Sequence, residues 1–435
     1  MEDVLPGEVW RWQRIERLFR DLAERYGYRE IRTPLVEATE LFERGVGGGT
    51  DVVEKEMYTF LDPGGRSLTL RPEGTAGAVR AFVEHHLDQE PAPLKLYYVA
   101  APMFRYERPQ AGRQRQFYQF GIEVLGAGEP AVDAEVIALG VRFLRELGVE
   151  GVRVEINSIG DAACRPRYRE RLLEYYRPLR QRLCPDCQRR LERNPLRLLD
   201  CKVDRELALG APQARESLCA DCAAHYEEVL RLLDALGVAV VENPRLVRGL
   251  DYYTRTVFEL TSDRLGAQNA VLSGGRYDGL VEQLGGPPTP GIGFAGGMER
   301  LLALLPPGGE EGRPDVFVAL VDPGLRAEAL AWAERLRGAG LHAECELGGR
   351  SLKAQMRYAS RRRFRLALLV GGEEWARSEA TLRDLDGGRQ ASLARGRLEE
   401  ALARGGGRRE RLAEALGSLL EAAGGERGEG EGDDS

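Results

Sequence analysis

Arginines stand beside glycines at three separated points of this 435-residue chain: FRYERPQAGR at 104–113, VRGLDYYT at 247–254 and GMER at 297–300. A guanidinium stays charged at every physiological pH, and its fork matches two phosphate or carboxylate oxygens at once. Acidic residues accompany them in RPEGT at 71–75 and QFGIE at 119–123, where a substrate ammonium or imidazole could dock. A site that holds polyphosphate and an amino acid together points to activation of a carboxylate by ATP. The glycine-rich stretches match neither the GxxxxGK[ST] loop nor the strand–GxGxxG–helix context of a dinucleotide fold. A second chemistry is possible at Cys184-Pro-Asp-Cys187 and Cys219-Ala-Asp-Cys222, two pairs with zinc-ligand spacing. The gap between them is longer than in common zinc ribbons, so they read either as one four-cysteine zinc site or as four thiols in a helical segment.

The elements that must position these residues can be read from periodicity. Trp12, Ile15, Leu18, Phe19, Leu22 and Tyr26 recur at helical spacing, closed by Gly27. YREIRTPLVE reads as a strand interrupted by Pro34. Residues 94–126 read as two strands around the loop ERPQAGRQR. In the second, Tyr118, Phe120, Ile122 and Val124 form one face and Phe117, Gln119, Gly121 and Glu123 the other. An apolar underside with Gln and Glu on top suits the floor of a polar pocket, although these two residues alone read rather as an exposed sheet face. An amphipathic helix begins at Glu129-Pro130 and runs to 147.

Residues 160–240 change character to arginine-rich helices with little strand signal, a candidate insertion. Strand-like sequence returns at 250–260 and 269–273, followed by GGRYDG and by PGIGFAGGMERLLALL, a strand running into a helix. PPGGEEGRP at 306–314 is a linker by composition. Beyond it VFVALV and LALLV alternate with helical 325–339 and 351–361, an α/β pattern, and the polar acidic end reads as disordered.

Composition limits the possibilities further. No apolar run approaches the roughly 18 residues of a membrane span, and MEDVLPGEVWRW lacks the basic and apolar regions of a secretory signal, so a cytoplasmic protein is expected. An odd count of seven cysteines argues against a disulfide framework. Net charge is −7, so nucleic acid would have to meet local basic patches rather than the field of the whole chain. RYASRRRFR at 357–365 is such a patch, with five arginines in nine residues.

Taken together, these stretches resemble a known family. GYREIRTPLVE, FRYERPQAGRQRQFYQFGIEV and GIGFAGGMERLL are similar to the three motifs of class II aminoacyl-tRNA synthetases. TDVVEKEMYTF, LRPEGTAG and RGLDYYTRTVFE are similar to histidine-specific segments of the histidyl-tRNA synthetase family. The resemblance covers about residues 3–395, with six motifs in order. It implies an α+β catalytic domain with a six-stranded antiparallel sheet, in two parts at 1–159 and 244–306. It further implies a helical insertion at 160–243, a linker at 307–313, a C-terminal α/β anticodon-binding domain at 314–423 and a disordered acidic tail at 424–435. Pro34 would lie at the interface of a homodimer.

The activity implied is conversion of histidine and ATP to histidyl-adenylate and pyrophosphate, then transfer to the 3′ end of tRNA(His), with Mg²⁺ accompanying ATP. By the same resemblance Arg105 holds the α-phosphate and the substrate carboxylate. Arg248 faces it across the same groups, and Arg300 holds the γ-phosphate. Glu107 and Arg113 complete the ATP contacts. Glu73, with Gly74 and Thr75, receives the α-ammonium of histidine, and Gln119 reaches the ammonium or the carboxylate. Glu123 and Tyr253 bond the imidazole nitrogens, and Tyr252 and Tyr277 wall the ring. Arg108 and Gln110 reach the acceptor end of tRNA, and Arg361, Arg362 and Arg363 meet its phosphates. Two readings compete. One is the histidine-binding, non-catalytic regulatory subunit of ATP phosphoribosyltransferase, which shares the fold but typically lacks the anticodon domain and an intact RGLDYYTRT-like segment. The other is a tRNA-binding protein without catalysis, which the joint presence of Arg105, Arg248 and Arg300 argues against.

Overall fold

The computed structural model describes residues 3–47, 50, 52–106, 114–266, 269–305, 313–404, 409–422 and 426–427. The chain divides into two compact units, Met1–Gly309 and Glu310–Ser435. The strands of the first are β1 (Arg29–Glu30), β2 (Val36–Ala38), β3 (Tyr58–Leu61), β4 (Ser67–Leu70), β5 (Leu94–Phe104), β6 (Gln116–Leu125), β7 (Val152–Ser158), β8 (Val240–Glu242), β9 (Thr254–Ser262), β10 (Ala270–Arg276) and β11 (Gly291–Gly297). Eight of them form one sheet in the order β1-β5-β6-β11-β10-β9-β7-β8. The six inner strands pair antiparallel throughout, as the resemblance implies. The two edge strands, β1 and β8, pair parallel to their neighbours and make the sheet mixed. They are two and three residues long, too short for any hydrophobic period to announce them. β2, β4 and β3 form a separate three-stranded sheet, with Pro34 in the chain between β1 and β2.

The alternation read in β6 is what anchors it. Phe120, Ile122 and Val124 are fully buried beneath the sheet, and Tyr118 packs beside them. Helix Pro6–Arg25 lays Ile15, Phe19 and Leu22 onto that face, with the Phe19 ring 4.8 Å from Phe120. Helix Pro130–Leu147 adds Phe143, 5.0 Å from Phe19. It opens on a proline, whose missing N–H is no loss there, and closes at Gly148 with φ 85°. Each of these large apolar side chains contributes on the order of 1.5–3 kcal/mol by leaving water. The opposite face of the same strand is thereby committed to polar work.

Between β7 and β8 the chain is mainly helical, with helices Arg165–Tyr176, Pro185–Arg190, Arg205–Leu209 and Ala220–Ala235. The last packs on helix Pro130–Leu147, and the contact is polar at its centre. The Asp133 carboxylate, fully buried, accepts from Arg276 Nε at 2.8 Å and lies 2.9 Å from His225 Nε2. Arg276 also donates to the Ala127 carbonyl at 3.1 Å and to Asp278 at 2.9 Å. No helix among the described residues is long and apolar enough to cross a membrane.

The second unit carries β12 (Val316–Leu320), β13 (Ala343–Cys345), β14 (Leu366–Val370), β15 (Glu379–Asp384), β16 (Arg389–Ala394) and β17 (Glu426–Arg427) in the order β13-β12-β14-β15-β16-β17. The β13-β12-β14 pairs are parallel and helices Arg326–Gly338 and Leu352–Arg361 make the crossovers. The continuous apolar run VFVAL follows from this, since β12 is buried on both faces.

Removing Asp133 leaves the fully buried Arg276 with only the partly exposed Asp278 as counter-charge, and breaking a buried pair in this way costs about 3–5 kcal/mol. Asp133→Ala is therefore expected to lower the unfolding free energy of the first unit by about that much in chemical denaturation. A loss below about 1 kcal/mol would contradict the role given to the pair.

Candidate active site

One cavity of about 800 Å³ opens on the polar face of the sheet. It is lined by Arg105 after β5, Gln119 from β6, Arg248 with Tyr252 and Tyr253 before β9, Tyr277 after β10 and Arg300 after β11. Glu73 and Thr75 enter from the start of helix Thr75–Glu84. Nine of the residues expected from sequence thus share one cavity, although 227 positions separate Glu73 from Arg300.

Glu73 sits where the helix begins. Its two oxygens accept the backbone N–H groups of Thr75 at 2.7 Å and Ala76 at 2.8 Å. Each oxygen keeps a second lone pair for a ligand. Burial raises this carboxyl above the ordinary range against the pull of those donors and of Arg105. Arg105 is itself fixed by donating Nε to the Pro72 carbonyl at 2.9 Å, which ties it to the segment that carries Glu73. Its guanidinium lies 5.8 Å from the Phe117 ring.

Arg248 forms an ion pair with Glu259 on β9 and lies over the Tyr253 ring at 5.8 Å. The Tyr252 ring stands 4.7 Å from Tyr253 and 5.8 Å from Tyr277, so three aromatic rings form one wall. Arg300 donates to the Ala270 carbonyl at 2.5 Å, and its neighbour Glu299 accepts the Tyr118 backbone N–H at 3.0 Å. Two polar atoms here are buried without a hydrogen-bond partner among the described residues: Gln119 Oε1 and Arg248 Nε. Such orphaned polar atoms are uncommon in folded proteins, and each calls for an explanation such as a bound ligand.

Two residues expected to meet histidine, Glu123 and Gly74, do not line the cavity themselves. Glu123 is not among the lining residues; it sits beneath them and accepts from Thr75 Oγ1 at 2.8 Å, Tyr277 OH at 2.5 Å and Tyr98 OH at 3.3 Å. Desolvation dominates its titration and pushes its pKa up to about 8 against those three hydroxyls. Gly74 also lies behind the cavity wall, where its missing side chain makes room: a Cβ there would stand 2.6 Å from Tyr98 Cζ. A Cβ at Gly293, paired with Glu123 across β6 and β11, would stand 2.2 Å from Glu123 Oε2.

Glu107, Arg108, Gln110 and Arg113, expected to contact ATP or tRNA, lie outside the described residues. Arg361, Arg362 and Arg363 are exposed in the second unit, at the end of helix Leu352–Arg361.

Of the two readings of the cysteines, the single four-cysteine zinc site is not formed. The two CxxC pairs open different helices, Pro185–Arg190 and Ala220–Ala235, and join different clusters. Cys184 and Cys187 meet Cys201 and Asp204; Cys219 and Cys222 meet Asp161 and Cys164. The signal that would have revealed this is in the sequence: Asp161-Ala-Ala-Cys164 and Cys201-Lys-Val-Asp204 repeat the spacing with one aspartate each.

Sequence reasoning also missed Tyr98 and Glu259. Tyr98 precedes a register shift in β5, between Tyr98 and Ala101, and a bulge re-aims side chains that simple alternation would misplace. Glu259 stands in the quoted RGLDYYTRTVFE and lacked only a partner; the ion pair with Arg248 supplies it.

Residues 1–301 match the family described as "Histidyl-tRNA synthetase", and residues 315–404 match "Anticodon binding domain". The chain is 51% identical over 399 residues to the histidine–tRNA ligase of Desulforamulus reducens, covering 90% of this chain and 95% of that protein. It is 52% identical over 407 residues to the histidine–tRNA ligase of Desulfitobacterium hafniense, covering 92% and 96%. Among solved structures, apo histidyl-tRNA synthetase of S. aureus aligns with a TM-score of 0.79 at 37% identity, over 93% of this chain and 98% of that one. A protein described as an ATP phosphoribosyltransferase regulatory subunit/histidyl-tRNA synthetase from Bacillus halodurans aligns less well, with a TM-score of 0.63 at 26% identity over 86% and 97%. The regulatory-subunit reading is therefore not favoured. With a family match over two-thirds of its residues and half-identical relatives over nine-tenths, the chain belongs to the histidyl-tRNA synthetase family.

Proposed function

We propose that this cavity carries both steps of histidine–tRNA ligation, and that the convergence of Arg105, Arg248 and Arg300 with the histidine-facing residues on one wall is what equips it. In the first step a carboxylate oxygen of histidine attacks the α-phosphorus of ATP and pyrophosphate leaves. In the second the terminal ribose hydroxyl of tRNA(His) attacks the adenylate carbonyl and AMP leaves. Arg105 and Arg248 flank the α-phosphate. Charge there rises only toward the transition state, so fixed guanidinium groups act on the barrier rather than on binding. Arg300 takes the terminal phosphate. The buried, unpartnered Nε of Arg248 and Oε1 of Gln119 support this reading as groups completed by substrate. Mg²⁺ bound with ATP would offset the charge of the leaving pyrophosphate, and the carboxylates of Glu259 and Glu299, which line the same cavity, would hold it.

Glu73 accepts from the α-ammonium through its remaining lone pairs. The imidazole lies against Tyr252 and Tyr277, with Tyr253 on one ring nitrogen and Glu123 on the other, the ring N–H taking the place of one hydroxyl on Glu123. A site of buried polar groups rejects amino acids that leave them unpaired, by about 10⁴–10⁵-fold in favourable cases.

On the second unit, Lys353, Arg357 and Arg361 stand four apart on one exposed helix face, continued by Arg362 and Arg363. This face supports contact with tRNA phosphates. The enzyme works in the cytoplasm as a homodimer. The exposed apolar residues Leu35, next to Pro34, and Phe60 and Leu61, on β3 of the three-stranded sheet that follows, support a covered face on this part of the chain.

Two outcomes are expected. Arg248→Ala should lower kcat of histidine-dependent ATP–pyrophosphate exchange by about 10²–10³-fold, with the histidine KM within a few-fold. Near-normal kcat with a raised KM would make Arg248 a binding residue only. The second concerns pH. Glu123 is largely protonated below about 8 in the free chain, and the proposed contact needs the carboxylate. Histidine affinity should rise with pH up to about 8, by about tenfold per unit relative to Glu123→Gln. Comparing the two proteins by calorimetry from pH 6 to 8.5 cancels the ligand's own titration, and parallel profiles would remove Glu123 from the imidazole.

A further inference from the structure

The two cysteine clusters have the same construction. In each, a CxxC pair opens a helix and its first thiol accepts the backbone N–H of the second cysteine: Cys187 N to Cys184 Sγ at 3.5 Å, and Cys222 N to Cys219 Sγ at 3.4 Å. Each CxxC pair faces a second pair of the same spacing in which one thiol is replaced by a carboxylate. The four pairs nest along the chain: 161/164 joins 219/222, and 184/187 joins 201/204. In each foursome one donor atom per residue lies within 4.8 Å of every other.

All these cysteines are free thiols, so no disulfide explains the gathering. The spacing does fit a metal. Zinc binds thiolate sulfur at about 2.3 Å in a tetrahedron, which sets neighbouring sulfurs about 3.8 Å apart. Cys184 Sγ and Cys201 Sγ stand 3.8 Å apart, and Cys201 Sγ and Asp204 Oδ2 also 3.8 Å. In the other cluster Cys219 Sγ and Asp161 Oδ2 are 3.9 Å apart. We propose that each foursome holds one zinc ion, with three thiolates and one carboxylate as ligands.

The surroundings suit that charge. Three thiolates and a carboxylate exceed the charge of a divalent ion by two, and donors offset the excess. Asp204 N donates to Cys201 Sγ at 3.5 Å, and Cys219 N to Cys164 Sγ at 3.0 Å. Asp161 Oδ1 accepts Ala163 N and Cys164 N, both at 3.0 Å, which leaves Oδ2 for the metal, 3.9 Å from Arg255 Nη2. Four protein ligands leave no open position, which makes both sites structural rather than catalytic. The sites have different reach. The 184/187/201/204 site anchors Cys201, which lines the active-site cavity together with Lys202 and Arg205. The 161/164/219/222 site ties the chain just after β7 to helix Ala220–Ala235, whose His225 meets Asp133.

The full-length chain, purified without chelator or added metal, should carry about two zinc ions by elemental analysis, and all seven cysteines should titrate as thiols once it is unfolded in chelator without reductant. Cys184→Ser/Cys187→Ser and Cys219→Ser/Cys222→Ser should each retain about one zinc. Should a variant fail to fold, cobalt(II) titration of the chelator-treated wild type gives the same count: thiolate-to-cobalt charge transfer and tetrahedral ligand-field bands should saturate at two equivalents. A single ion lost in both double variants, fewer than seven thiols, iron–sulfur absorption, or wild type that contains no zinc and takes up no cobalt would each overturn the proposal.

Discussion

Arg276 is fully buried where β10 ends, and the active site depends on how that charge is held. Asp133 supplies the counter-charge from helix Pro130–Leu147, and the Ala127 carbonyl takes two more N–H groups at 3.1 Å. The next residue is Tyr277, so the pair sets where that phenol lies. Its backbone N–H bonds the Gly291 carbonyl at 2.8 Å and its hydroxyl bonds Glu123. Glu123 in turn holds Thr75, whose backbone N–H is bound by Glu73. Through His225 the same Asp133 carboxylate reaches the helix that begins after Cys219. In a low-dielectric interior such a chain of bonds is strong when complete and costly when broken.

The cavity keeps some polar groups unsatisfied. Gln119 Oε1 and Arg248 Nε have no hydrogen-bond partner among the described residues, and burial raises the pKa of Glu123 just beneath them to about 8. A chain selected for stability alone would pair or remove them; local departures of this kind concentrate at functional sites. The glycines of β6 and β11 serve the same end. Gly121 and Gly293 leave no side chain where Tyr98 and Glu123 must pack, since a Cβ at Gly121 would stand 2.5 Å from Tyr98 OH.

Much of this was legible before any coordinates. The period of two in β6 placed Phe120, Ile122 and Val124 on one face, in the apolar core, and Gln119 and Glu123 on the other, although from Phe120 on the strand is buried on both faces. The arginines were legible as chemistry because their motifs are local. What depended on distant contacts was not. Tyr98 turns toward Glu123 just before a register shift, the edge strands β1 and β8 exist only because longer strands offer them a partner, and Glu123 lies one layer deeper than its strand position suggested. The cysteines show the same limit. Spacing identified the CxxC pairs, but only the folded insertion decides that each meets an aspartate-bearing pair instead of the other.

The central claim is that this one cavity activates histidine with ATP, and it is tested most directly by amino-acid-dependent exchange of labelled pyrophosphate into ATP, without tRNA. Exchange should appear with histidine and Mg²⁺, and stay at background with the other amino acids. Saturable histidine binding with no exchange under those conditions would contradict the account, and would mean that the arginines of this cavity sense histidine rather than activate it.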